Sequence, residues 1–155
     1  KQLGATDITQ SILLSMNLLV ATFGNLVATT VVNRIGAQRM VYATFVVVAL
    51  GMVGAAAAHS LPLLFVAQFC VGLSQGIGYP VLMGMGIRHV ADGERTTAMG
   101  LHQAVYAIGM FGGLALSGVL ADAMGIRPMF AVTAAACLIV GVIATRWLEP
   151  KPTAN

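Results

Sequence analysis

Five long stretches of this chain carry almost no charge. No Asp, Glu, Lys, Arg or His interrupts residues 8–33, 40–58, 60–87 or 128–145, and a fifth stretch, 96–121, is broken only by His102. A hydrocarbon core of about 30 Å needs about 20 residues of helix, at about 1.5 Å each, to cross it. Each stretch is near or above that length. The pattern predicts an all-α integral membrane protein with five transmembrane helices, over residues 8–32, 40–58, 61–87, 96–121 and 128–147. A membrane β-barrel would instead alternate apolar and polar residues in segments of about ten, and a run such as "FVVVALGMVGAAAA" has no such alternation.

Charge says where the chain meets water. Only 8% of the 155 residues are charged, against about a quarter in soluble domains, and they gather between the apolar stretches. If all five stretches span, Lys1 and Arg127 fall on one side, and Arg34, Arg39, Arg88, Arg95, Arg146 and Lys151 on the other. The excess of Lys and Arg marks the second side as cytoplasmic, with the N-terminus outside and the C-terminus inside. These few basic groups at helix ends build no nucleic-acid face. Cys70 and Cys137 lie inside apolar stretches, where a thiol behaves as a small hydrophobe. No metal spacing, cofactor motif, nucleophile–base pair or carboxylate pair points to an enzyme. The chain opens on Lys1, and "KQLGATD" lacks a signal-peptide layout, so it reads as a fragment. Its short connections make residues 1–155 one membrane domain of antiparallel neighbours.

Polar side chains are unevenly shared among the spans. The second offers Tyr42 and Thr44, the fifth Thr133 and Thr145, so both read as peripheral and lipid-facing. The first carries Ser15, Thr22 and Thr29 at steps of seven, with Asn17 and Asn25. The third carries Gln68, Gln75 and Tyr79 beside Pro80, which predicts a bend. The fourth carries His102, Gln103 and Tyr106 with Gly100, Gly109, Gly113, Ser117 and Gly118. Polar groups facing hydrocarbon would go unsatisfied, so these three spans are expected to face protein or water. Gln68, Gln75, Tyr79, His102, Gln103 and Tyr106 are the candidate lining of a substrate cavity, His102 being the one titratable side chain within a span of the kind that functions by default. A faint repeat also appears: Asn33, Gly36 and Met40 match Asp122, Gly125 and Met129 at one offset, in turns on opposite faces, as in inverted-topology transporters.

These features resemble the major facilitator superfamily, whose members carry twelve helices in two six-helix halves. "NRIGAQR" resembles its loop pattern Asp-Arg-x-Gly-Arg-Arg/Lys: Arg34 and Gly36 match, Asn33 stands in place of Asp, and Ala37 replaces an Arg. "GERTTAMGLHQAVYAIGMFGGLALSGVLADAMG" is similar to the region from loop 10 to helix 11. Gly100, Gly109, Gly113 and Gly118 also fall on positions of the Gly-rich antiporter pattern, with Leu114 in place of its Pro and Ser117 in place of a Gly. Placements on helices 2 to 6 and 8 to 12 both fit. The degenerate loop, the lack of an Arg within the third span and the tail "LEPKPTAN" favour 8 to 12.

The resemblance implies part of a six-helix half-bundle and secondary active transport of a small molecule by alternating access, of permease or efflux type. Its partners would be the substrate, the bilayer and a missing N-terminal half. It further implies a cytoplasmic gate at Asn33, Arg34, Gly36 and Arg39, and helix packing through Gly100, Gly109, Gly113 and Gly118. The alternative is a non-transporting receptor or scaffold assembling through Gly-rich faces.

Overall fold

The computed structural model describes residues 6–147, the side chain of Trp147 excepted. It contains five helices long and apolar enough to cross a membrane: α1 (Asp7–Ile35), α2 (Ala37–Ala56), α3 (Leu61–Ile87), α4 (Arg95–Met124) and α5 (Ile126–Trp147). Local signals place their ends. The Thr6 hydroxyl caps α1 by accepting from the Thr9 amide at 3.2 Å, and Asp7 puts a negative charge on the first turn, where the helix dipole favours one. Ser60 and Pro62 open α3. Pro80 removes one rung from the interior of α3 without ending it.

The faint repeat is a true structural repeat. Gly36 ends α1 at φ 90°, ψ 139°, and Gly125 ends α4 at φ 89°, ψ 163°. Each glycine amide donates back to the preceding helix at 2.9 Å, Gly36 to Val32 and Gly125 to Ala121. Each glycine carbonyl then accepts from the first turn of the next helix at 3.2 Å, from Met40 and Met129 respectively. A side chain would be strained at this positive φ, so one glycine reverses the chain between two long helices.

Packing runs in a row. α1 lies parallel to α3, α3 lies antiparallel to α2, and α2 lies antiparallel to α5, while α4 touches α3 and α5 only lightly. Since α4 is antiparallel to α3, the two glycine joints sit at opposite ends of the bundle. The α1–α3 seam is the tightest. A methyl group added at Gly72 would lie 2.7 Å from the Asn17 carbonyl oxygen, one at Gly76 would overlap the Ala21 carbonyl, and one at Gly24 would lie 3.3 Å from the Leu73 carbonyl oxygen. Gly51 admits the Ala67 backbone in the same way, and Gly141 admits the Phe45 ring. Around Ala28, Met40, Val41 and Val81 the three helices α1, α2 and α3 share a small apolar core. The α2–α5 seam is pinned at both ends, by Arg127 donating to the Ala58 carbonyl at 3.2 Å and by Gln38 donating to the Thr145 carbonyl at 3.0 Å.

Gly100, Gly109, Gly113 and Gly118, expected to pack against the other half, have no helix against them among the described residues: a methyl group at any of them would meet nothing within 4 Å, and α4 buries no residue. The close-packing glycines lie instead on α1, α2, α3 and α5, and the spacing Gly72-x-x-x-Gly76, a small-residue motif of membrane helices, is the signal that was passed over. One expectation changes here. The apolar α2, expected at the periphery, is enclosed between α3 and α5 and buries Met40, Val41, Thr44, Ala49 and Gly51. The more polar α1 and α4 are the open ones.

These joints and seams set measurable costs. Gly36→Ala and Gly125→Ala should each lower stability by about 1–3 kcal/mol, by matched amounts, since they strain the same conformation. Gly76→Ala should cost about as much by forcing α1 off α3, although alanine is the better helix former by about 0.5–1 kcal/mol. Denaturation of the purified protein in detergent reads all three.

Candidate functional site

Where α2, α3 and α4 diverge they leave a cavity of about 370 Å³. Thr44, Phe45 and Val48 line it from α2, Ser74, Gln75, Gly78, Tyr79 and Leu82 from α3, and His102, Val105 and Tyr106 from α4. Most of the wall is apolar. The hydroxyls of Thr44 and Ser74 are already engaged, donating at 2.7 Å to the Val41 and Cys70 carbonyls of their own helices. Free hydrogen-bonding capacity therefore rests with Gln75, the two tyrosines and the imidazole. No carboxylate and no Lys or Arg lines the cavity.

Three rings are organised around Tyr79. It meets Tyr106 edge-on at a centroid distance of 5.2 Å and His102 at 6.1 Å, the tilted geometry that aromatic quadrupoles prefer. Gln103 donates its side-chain amide to the Tyr79 hydroxyl from outside the cavity. This cluster is the main side-chain link between α3 and α4, and helical spacing explains it: Gln75 and Tyr79 are four apart on α3, and His102 and Tyr106 four apart on α4.

Five of the six residues expected to line a cavity thus meet at one place, Gln103 through its bond to Tyr79. Gln68 does not. Its carbonyl and its side-chain oxygen both accept from the Asn17 amide, at 3.1 and 3.2 Å, which turns the side chain toward α1 and makes it a clamp on the close seam. Thr44, Phe45 and Ser74 were missed. Thr44 belongs to a span whose few polar residues make it look peripheral, and it is 9% exposed.

The hydroxyl stripe of α1 also has a local explanation. Thr22 donates to the Leu18 carbonyl at 2.9 Å and Thr29 to the Leu26 carbonyl at 2.8 Å, as Ser117 of α4 does to the Leu114 carbonyl at 2.9 Å. A hydroxyl that bonds back into its own helix needs no cavity. The expected gate residues separate. Gly36 forms the joint, Arg34 is exposed, and Asn33 lines a recess of about 410 Å³ with Thr29, Pro80 and Arg88 between the ends of α1 and α3. Arg39 faces the other way, toward α5.

A family model described as Major Facilitator Superfamily matches residues 1–155. The chain belongs to that superfamily. No curated protein gives a significant match. As a major facilitator chain it is a multi-pass membrane protein of a transporter family, embedded in a lipid bilayer. The cavity's mostly apolar wall with a few convergent polar groups has the character of a small-molecule site, and its volume lies within the usual range of about 300–1,000 Å³.

The Asn17–Gln68 clamp is testable apart from any function. A double-mutant cycle of Asn17→Ala and Gln68→Leu should give a coupling of about 1 kcal/mol in detergent denaturation, the usual size for an interhelical hydrogen bond in membranes. Neither change should alter ligand affinity.

Proposed function

We propose that this chain is the greater part of the C-terminal half of a secondary transporter, helices 8 to 12, folded as one membrane unit that works by alternating access against an N-terminal half. The observation that carries the reading is the convergence of Gln75, Tyr79, His102 and Tyr106 on one cavity between α2, α3 and α4. In this reading those four residues contact the substrate and Gln103 holds the Tyr79 hydroxyl in position. Gln68 is reserved for the α1–α3 seam. The wall holds no carboxylate, Lys or Arg to meet a charged group, so it favours a molecule with an apolar body and one or two hydrogen-bonding groups.

The glycines of α4 fit the same proposal. Gly109 and Gly113 continue the row of His102 and Tyr106, Gly100 and Gly118 lie on the opposite side of the helix, and both sets leave room for close approach by helices outside this chain. Asn33, Arg34 and Gly36 belong to the cytoplasmic gate in this reading, which places the N-terminus outside and the C-terminus inside. The Gly36 joint supports that role by reversing the chain at that end of the bundle, with a backbone bond into each of α1 and α2.

The test uses the full-length transporter. A thermal-shift screen with small molecules supplies the ligand, and transport of that ligand is then compared with Gln75→Leu/Tyr79→Phe. The double variant should lose about tenfold or more in transport, the equivalent of one or two lost hydrogen bonds, at unchanged membrane abundance. Wild-type transport by the variant would remove both residues from the site.

A further inference from the structure

A second recess lies on the α2–α5 seam, where α2 begins and α5 ends. It has a volume of about 400 Å³ and is lined by Gln38, Arg39, Tyr42, Thr145 and Arg146. Two of the five are already committed: Gln38 donates to the Thr145 carbonyl at 3.0 Å, and the Thr145 hydroxyl donates to the Gly141 carbonyl at 2.7 Å. What remains for a ligand is two guanidinium groups and the Tyr42 phenol. None of the three has a hydrogen-bond or carboxylate partner among the described residues, where the ion pair is Arg95–Asp92 at 3.1 Å in the turn before α4.

The position makes this concentration of donors costly without an anion. Arg39 stands in the first turn of α2, at the positive end of the helix dipole, where a cation is disfavoured. That turn has no acidic residue, and its N-cap, Gly36, provides no side-chain acceptor. Arg146 is at home at the C-terminal end of α5, but it brings a second positive charge to the same recess. The recess sits at the ends of two helices long and apolar enough to cross a membrane, which is where the headgroups of a bilayer would meet them. Ile139, Val142 and Ile143, up to two turns back along α5, are exposed apolar surface along which acyl chains can lie.

We propose that this recess binds the phosphate of a membrane phospholipid with a net-negative headgroup. Arg39 and Arg146 supply forked donors to the phosphate oxygens, and Tyr42 supplies a third. The ligand would tie α2 to α5 at the end of the seam away from the Arg127 contact.

The purified protein in detergent, titrated with short-chain phosphatidylglycerol, should gain about 3 °C in unfolding midpoint at saturation, and phosphatidylcholine should give much less. Arg39→Gln/Arg146→Gln should abolish the gain. Both side chains are exposed, so the variant should fold. Arg88→Gln/Arg95→Gln removes the same charge away from the recess and should keep the gain. Equal responses from wild type and the first variant, or loss in both variants, would overturn the proposal. A gain of the same size from inorganic phosphate would overturn its assignment to lipid. Glu149 lies outside the described residues. A lipid response seen only after Glu149→Gln would give the recess to an internal carboxylate and overturn the proposal as well.

Discussion

Between helices in hydrocarbon, apolar burial supplies little attraction, because lipid tails are as apolar as leucine. Association depends on how closely backbones approach and on the few interhelical hydrogen bonds that form. In this chain the closest approach is α1 against α3, where Gly24, Gly72 and Gly76 present backbone to backbone and the Asn17 amide reaches both oxygens of Gln68. The rest is assembled on α3: α2 packs against it beside that seam, α5 follows on α2, and α4 meets it through the Tyr79 cluster. A bulky residue at Gly76 would therefore disturb more than one contact. It would move the helix to which three others are referenced.

Burial follows from this arrangement rather than from hydrophobicity. The seams of α2 and α3 are closed within the chain, so those helices are enclosed, whereas α4 is long, glycine-rich and buries no residue. A helix with five glycines on open faces loses conformational entropy that its own contacts here do not recover. Its polar and small residues make physical sense against further protein. The twin joints at Gly36 and Gly125 belong to the same logic. Helix pairs α1–α2 and α4–α5 are built alike at opposite ends of the bundle, so one local geometry serves two units of inverted direction.

Much of this was legible in the residues. Span number and rough limits follow from charge-free length, and the structure moves individual ends by one to three residues. The joints were legible because a positive φ admits glycine and little else. Burial order was not, since polarity counts cannot tell a face covered by this chain from a face covered by another. The hydroxyl stripe carries no cavity signal for a specific reason: Ser and Thr at helix positions can donate to a carbonyl three or four residues back, so Thr22, Thr29 and Ser117 are satisfied wherever they face. The side chains of Gln and His satisfy themselves this way less readily. Gln75, Gln103, His102 and Asn17 were therefore the informative polar residues, and each of them lines the cavity or bonds to a neighbouring helix.

Gln68 shows how one interval can serve two purposes. Along α3 the seam runs through Gln68, Gly72 and Gly76, and the cavity wall through Gln75 and Tyr79. Both rows advance by four residues, and Gln75 stands next to Gly76, about 100° around the helix axis. A spacing of seven from Gln68 to Gln75 looks like one face, yet over two turns a straight helix drifts by about 20°, and Gln68 is drawn further from the cavity row by its bond to Asn17. The rigid seam and the cavity wall are thus adjacent strips of one helix. Because the seam is fixed by backbone contact, small rotations of α3 about it are opposed on the α1 side, and the side chains of Gln75 and Tyr79 are held at a defined angle to α4. Among the described residues α4 is the helix held most lightly, through the Tyr79 cluster on one side and its contact with α5 on the other, so the α4 side is the less constrained wall of the cavity.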